Sequence, residues 1–564
     1  MAETTEQYRA RINQLKTSIE NEPYMKDMRS DIAEGISKTG NRQADIEMRQ
    51  DTLEDDFVAV QQDASAVSPS GAEVAVARGS YPTLDGRLTA EQNEVNAQLA
   101  QIVTNVEWFS SIAPEIDDTG RIQRALDSLP NGATLFFPPK TYTRGRVYLK
   151  DKKNVHVVGY GSIHMLSGVG ASFEMQGEIE NVTIEGFTIQ GDGLVASKQS
   201  GFANASGTNF KNIEIIKNNI YDVSIGISIN ADLSGKIDGA TISRNRVERV
   251  LGVNPGQGYG IHVSHGSYEP SSVLISDNTI IDAQRHSIYL ARGNGFVVSL
   301  NKIKDHRKSA SDRDTFHRSA IAISRTSNVS VTNNILQDCW SGMVGINPAE
   351  DNTEYMPSRN VFVSGNVFFR PKSIRCITVG YTSPETTDGI EVVSISNNTI
   401  FIEGNTIPAI YVYYGKKIAI DGNIINIINN PSVTRAIELS AVGGAEYCDG
   451  YFIKNNVINV ESTTGVPSQA FRINTSLATI SCKTEFKDNN VSPNGTPFSG
   501  QANILNPKLF VSGHSTEGLV FEPGNNMLAN NTGPLKVSDG FSGTFATTDG
   551  KVVTITNGIV TKVD

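Results

Sequence analysis

One stretch of this sequence brings carboxylates and imidazoles together. The segment KIKDHRKSASDRDTFHRS, Lys302 to Ser319, carries Asp305, His306, Asp312, Asp314 and His317 among lysines and arginines. Further on, Pro348 to Arg359 brings Glu350, Asp351 and Glu354. Two carboxyl groups about 5 to 9.5 Å apart, one protonated and one ionised, are what hydrolysis of a glycosidic bond requires. Asp305, Asp312, Asp314 and Glu354 are therefore the candidate catalytic residues, against the plainer reading of two solvated charged loops. Asp282 and His286, in DAQRHS, stand close enough in sequence to contribute. No metal or other cofactor is expected. Cys339, Cys376, Cys448 and Cys482 lie far apart, with no CxxC and no His at zinc spacing, and read as buried free thiols.

The elements that must position these loops show themselves through asparagine. Asn occurs 9 times in residues 1–200 and 32 times in residues 201–500, although strands and helices disfavour it. Most of the excess falls in one phrase, apolar-x-x-Asn-x-apolar, centred on Asn218, Asn245, Asn278, Asn301, Asn334, Asn366, Asn398, Asn423, Asn456 and Asn489, with Phe187 in the same slot before them. The intervals run from 23 to 33 residues. A fixed phrase at that period, with short strands and no long helices between, predicts a parallel β-helix solenoid of about ten or eleven coils, roughly 50 Å long. At a sharp corner Asn tolerates the left-handed backbone and can bond its amide to the copies above and below.

A second phrase, apolar-x-apolar, follows once per coil, from Ile227-Ser-Ile229 to Phe471-Arg-Ile473. With a period of two, the middle residue faces out when its neighbours face in. The expected outward column is Ser228, His262, Tyr289, Ala322, Gly345, Thr378, Tyr411, Glu438 and Arg472, with Arg292, Arg325 and Tyr381 just beyond it. Aromatic faces beside hydrogen-bonding and cationic groups suit a hydroxyl-rich polymer, its sugar rings on Tyr and its anions on Arg. His262, Tyr289, Arg292, Arg325, Tyr381, Tyr411 and Glu438 are the candidate binding residues. The alternative is a solvated strand face, or one buried between subunits.

Bulk properties exclude several classes. The chain of 564 residues has 49 basic and 60 acidic side chains, a net charge of −11, and no Lys/Arg cluster, so neither nucleic acid nor an anionic membrane is its expected partner. No stretch approaches the ~20 apolar residues of a membrane span, and the polar start MAETTEQYRARINQ is unlike a secretory signal. Residues 1–63 read as helical, with narrow apolar seams such as Tyr8, Ile12, Leu15 and Ile19 that suit a coiled coil or a docking site. Residues 64–117 read as a hinge followed by an amphipathic helix from Thr89 to Val103, 118–497 as the solenoid, and 498–564 as a β-rich tail ending in a hairpin about Asn557-Gly558. A helix beginning near Asp118, with Ile122, Ala125, Leu126 and Leu129 on one face, would cap the first coil.

The stretch DDTGRIQRALDSLPNGATLFFPPKTY, Asp117 to Tyr142, resembles the opening of the pectate-lyase-like right-handed β-helices. Together with the helical start, AEVAVARGSYPTLDGRL and TTDGKVVTITNGIV, it makes the chain similar to tail-spike and neck-appendage proteins of phages infecting Gram-positive bacteria. That resemblance implies a homotrimer in the virion, made in the host cytoplasm and attached to tail or neck proteins through its N-terminal part. It also implies a solenoid that binds host polysaccharide or wall teichoic acid, and often degrades it. The motif set of polygalacturonases is unmatched, Ser264-His265-Gly266 being nearest, and no pectate-lyase cluster is present, so no catalytic position carries over. Two accounts stand: a depolymerase acting as a hydrolase rather than a lyase, or an adsorption protein using the same groove. A bacterial surface β-helix is a third.

Overall fold

The computed structural model describes residues 85–92 and 103–500, except 169, 232–233, 254–255, 266–269, 310–317, 348–357, 373–374, 381–388, 404–407, 431–434, 441–447, 463–468, 474–483, 488 and 492–495, together with 10, 49, 52, 509–512, 543–546, 552–556 and 559–563. Contacts divide the chain into two units, Met1–Thr104 and Asn105–Asp564. In the first, the expected seams of residues 1–63 fall outside the described residues. A helical stretch spans 85–92, so it starts inside the expected hinge, with Arg87 paired to Glu91 one turn on at 2.7 Å. The helix expected to reach Val103 does not: Val103–Asn105 is extended, as its β-branched run Ile102-Val103-Thr104 favours.

In the second unit three short strands make one coil. Asn209–Ile216, Asn219–Val223 and Ile225–Asn230 pair in parallel with Lys236–Ser243, Arg246–Val250 and Tyr259–Ser264 of the next. Repetition gives one parallel sheet of 25 strands and another of 13. The larger takes in two faces because strands such as His286–Ser299 and Ile321–Thr332 run through one corner unbroken. Period-two alternation sends Ile213 and Ile215, and Ile227 and Ile229, into a common core, joined by Ile220 and Val223 on either side of the left-handed Asp222, each at most 1% exposed. Parallel pairing continues past the expected boundary at 497, through Thr496–Gly500 and Leu509–Ser512. Beyond it, Gly543–Ala546, Val552–Thr556 and Ile559–Val563 form an antiparallel sheet.

The asparagines form an interior ladder. Asn301 Oδ1 accepts the backbone N–H and the Nδ2–H of Asn278, both at 3.0 Å, while its own Nδ2 donates to Asn334 Oδ1 and to the Ile275 carbonyl, both at 2.9 Å. The pattern repeats from Asn218 to Asn489, and every member is at most 1% exposed. One expectation needs correction. The left-handed residue at this corner is the one before the asparagine: Lys217, Arg244, Asp277, Leu300, Asn333, Gly365, Asn397, Gly422 and Asn455 all have positive φ. Turning the chain one residue early points the amide inward, where it satisfies backbone donors that the corner strips from the sheet.

Helix α1, Thr119–Ser128, covers the first coil with Ile122, Ala125 and Leu126 buried. Asp118 precedes it without capping it through its side chain; the Asp117 carboxylate accepts the Thr119 N–H at 2.7 Å instead. Asp118 holds Arg121 at 2.6 Å and accepts the Thr143 N–H at 2.8 Å, which ties the cap to the strand Thr141–Arg144.

Candidate functional site

Strand pairing stacks the outward column in the register that period two requires. Ser228, His262, Tyr289, Ala322, Gly345, Thr378, Tyr411, Glu438 and Arg472 occupy successive rungs. The bulk along it is uneven. Large rings at His262 and Tyr289 give way to Ala322, Gly345 and Thr378, and large side chains resume at Tyr411. In sequence, residues 310–317 precede the Ala322 rung and 348–357 follow the Gly345 rung; both stretches lie outside the described residues.

Around the first bulky segment four rings pack together. His262 stacks on Tyr289 with centroids 5.3 Å apart and planes at 13°, and His286 stacks on Tyr289 at 4.9 Å. Tyr259 lies 5.7 Å from His286, nearly parallel, with the Arg285 guanidinium 5.5 Å from the Tyr259 ring centroid. Burial, and then the charges of His286 and Arg285, push His262 down to about 4, so this ring is neutral at pH 7. His262 and Tyr289 are half-buried and Tyr259 and His286 buried, which leaves the first two to meet a ligand.

The second bulky segment is organised differently from the sequence expectation. Tyr411 and Glu438 stand in register but are 6% and 4% exposed, and so are not themselves the contact surface. Arg375, just before a neighbouring strand, and Arg435, at the start of Glu438's own strand, lie against them. The Arg375 guanidinium sits 4.1 Å from the Tyr411 ring centroid and 5.0 Å from that of Tyr413, and its Nη1 donates to the Tyr413 hydroxyl at 2.7 Å. Burial raises the Tyr413 phenol pKa, with the Arg375 charge opposing, so it stays protonated. Glu438 bridges Arg435 at 3.2 Å and Arg472 at 3.3 Å. Sequence reasoning missed Arg375 and Arg435 because neither occupies the middle of an apolar-x-apolar triplet; a cation two or three positions before the triplet was the available signal.

Other candidates disperse. Arg292 and Arg325 stand at the corner within the strands His286–Ser299 and Ile321–Thr332, in left-handed conformation with φ of 62° and 54°; Arg325 is only 3% exposed, so it is a buried corner residue rather than a surface contact. Asp305 follows the strand Lys302–Lys304 of the 13-stranded sheet, off the column, with Lys308 at 3.9 Å and Lys304 at 4.0 Å. Asp312, Asp314, Glu354 and Tyr381 lie outside the described residues. Two histidines instead hold the chain just after residues 310–317. The His286 Nδ1–H donates to the Ser319 carbonyl at 2.8 Å, and the His306 Nε2–H to the Arg318 carbonyl at 3.0 Å, with the Ser287 hydroxyl at His306 Nδ1. A carbonyl can only accept, so each of these two ring nitrogens carries its proton. Burial drives His306 down to about 3, so it is neutral. Cys339 and Cys376 are free and buried, and burial raises both thiol pKa values. Among the described residues no three His, Cys, Asp or Glu come together to hold a metal ion, and no helix is long and apolar enough to cross a membrane.

Residues 152–312 match the family model for a right-handed beta helix region. No curated protein matches the chain. Among solved structures it is similar to the tailspike protein of E. coli bacteriophage HK620 in complex with pentasaccharide, at 14% identity over 74% of this chain and 80% of that one, with a TM-score of 0.48. It is also similar to the catalytic unit of a thermostable GH87 alpha-1,3-glucanase from Streptomyces thermodiastaticus, at 12% identity over 73% and 69%, with a TM-score of 0.46. Residues 152–312 are thus a right-handed β-helix region, and the same parallel coils continue beyond it towards the C-terminus.

Proposed function

We propose that this chain is a phage tail spike or appendage that binds a host cell-surface polysaccharide or wall teichoic acid along the column strands and cleaves it by hydrolysis. The observation that carries this reading is the make-up of that strand face. Half-buried rings at His262 and Tyr289 and partly exposed guanidiniums at Arg375, Arg435 and Arg472 share it. Stacking of sugar faces on rings and charge-assisted bonds from arginine are the usual means of holding such polymers. The hydrolytic carboxylates are drawn from Asp312, Asp314 and Glu354, which precede the Ala322 rung or follow the Gly345 rung in sequence, with Asp305 nearby in sequence. Placement in the virion, a homotrimeric state and attachment through residues 1–63 rest on the sequence resemblance; a role for the tail in capping the solenoid or locking chains together rests on its terminal hairpin.

One observation favours adsorption without cleavage. Glu438, in the described column, is bound by two arginines and has no second carboxylate beside it there. Incubating the purified chain with capsular polysaccharide or wall teichoic acid, and following polymer length and new reducing or phosphomonoester ends, separates the two. Shortened polymer supports the hydrolase; tight binding with unchanged polymer leaves a receptor-binding protein.

A further inference from the structure

One corner of the solenoid changes character part-way along. The left-handed residue before the ladder asparagine is Lys217, Arg244 and then Asp277 in successive coils, whereas from Asn333 to Asn455 only Asn and Gly stand there. The flanks follow. On the 13-stranded sheet, the column beside the corner passes from Arg246 through Thr279 to Lys302, and then through Ile335, Val367, Thr399 and Ile424 to Val457. On the other flank, the column that starts at Glu214 holds Leu274, Val297 and Phe362 farther along. Within three residues of the corner, charge returns in the coils of Asn423 and Asn456 only as Asp421 and Lys454, opposite in sign and paired in register.

Strand pairing does not demand this, since Arg246 and Lys302 hold the same register with their charges. Ile335, Ile424 and Phe362 are 42%, 43% and 46% exposed. The four steps from Ile335 to Val457 make an apolar strip about 19 Å long on one flank, with Phe369 and Phe401 alongside it, their ring centroids 5.9 Å apart. An exposed apolar strip on both sides of one edge marks a contact surface. The corner asparagines point inward, so the edge is convex and its flanks turn away from each other. A two-fold pair sets like against like, so one flank of each copy stays bare. In a ring of parallel copies, one flank of each meets the other flank of the next, and every edge lies on the axis. There each edge residue meets its own copies, and a charge would face like charges. An Asn amide both donates and accepts, and so can bond a copy of itself. The loss of edge charge from Asn333 onward is what a ring requires.

We propose that the edge carrying Asn333, Gly365 and Asn397 faces the axis of a closed ring of identical copies, with the Phe362 flank of each copy packed on the Ile335–Ile424 flank of the next. This rests on the reading of the chain as a self-associating spike and assigns the surface that associates. It makes no use of the glycan column. Strands such as Ile225–Asn230 and Tyr259–Ser264 form the third side of the coil, across from this edge, and stay open to solvent in the ring. The charged rungs of the first coils, Arg246 to Lys302, then lie outside the tight contact.

The full chain should sediment as a multiple of its 60.9 kDa mass. Asn397→Cys, mildly oxidised, should give linked pairs of chains on a denaturing gel. The wild type with its native cysteines should not, nor should Asn360→Cys, at an exposed left-handed corner at the far end of the Phe362 strand. Phe362→Glu and Val367→Glu, one on each flank, should each weaken association at least about tenfold with an unchanged circular dichroism spectrum. Lys302→Glu, on a charged rung of the same sheet, should leave association as it is. An assembly that persists without a link at 397, and is indifferent to both flank charges, overturns the inference alone and moves the contact elsewhere, to the tail for example. A folded monomer at micromolar concentration overturns it together with the homotrimeric reading. Polymer binding or cleavage by that monomer would keep the glycan reading intact, so the two failures are distinct.

Discussion

Arg375 lies with its guanidinium 4.1 Å from the centre of the Tyr411 ring and bonds the Tyr413 hydroxyl at 2.7 Å. The cation comes from before one column strand and the rings from the next. A contact made across rungs therefore does two things, covering the column and setting the charge that the groove shows to solvent.

Arg375→Ala should cost about 1 to 2 kcal/mol of stability, the combined scale of a partly desolvated cation–π contact and one hydrogen bond. Arg375→Lys keeps the charge but not the plane and should recover less than half. Denaturant midpoints of the three proteins check this.

The ladder offers a sharper test of stability. Asn301→Ala removes the acceptor of two buried Asn278 donors, each costing about 1 to 3 kcal/mol when stranded, so a loss of roughly 3 kcal/mol or more is expected. Asn301→Asp keeps that acceptor but turns an oxygen towards the Ile275 carbonyl and Asn334 Oδ1. It should be at least as unstable as the alanine variant at pH 7 and recover partly as acid protonates it. Chemical unfolding at pH 7 and pH 5 reads both effects.

Acid should weaken the fold through His306. Its pKa falls from about 6.5 in the unfolded chain to about 3, so between those values the unfolded state binds the extra proton. The stability of the neutral ring is whole above pH ~6.5 and declines as pH drops, by up to about 1.4 kcal/mol per unit, until pH ~3. His306→Gln can still donate to Arg318 and accept from Ser287, and it should flatten this slope. Glu185 acts lower on the scale. Burial raises its pKa, but hydrogen bonds and charge from His156 and Lys217 outweigh that, so its contribution is present above about 4.5 and is lost below, as pH falls through the lowered value. Unfolding midpoints from pH 7 to pH 3 distinguish the two.

Gly345 is needed for space. A Cβ there would stand 2.4 Å from Ser319 Oγ and 3.1 Å from Ser319 Cβ. Gly345→Ala should cost about 1 to 3 kcal/mol, and adding Ser319→Gly should restore at least half of it. A double-mutant cycle on thermal or denaturant unfolding measures the coupling.

Much of the solenoid can be read from residue order, because core burial imposes period two and the buried amide at each corner accepts almost no substitute. Asn218 to Asn489 and the column from Ser228 to Arg472 stand where that logic puts them. The left-handed corner residue escaped it, since Lys, Arg, Asp, Leu, Asn and Gly all serve once the ladder holds the turn. Burial of Tyr411 and Glu438 escaped it too. Their cover includes Arg375 and Arg435, which lie outside the alternating triplets, and pairing across rungs leaves no local periodic trace. Asp312, Asp314 and Glu354 sit on insertions, where no repeat constrains position.

Hydrogen exchange of the full chain, with and without a surface polysaccharide or teichoic acid that it retains, tests the central claim most directly. Binding along the column should slow exchange in 259–264, 286–292, 377–379, 410–414 and 435–439, and leave the strands of the 13-stranded sheet unchanged. Protection confined to that sheet or to the tail, with the column strands unaffected, would contradict it.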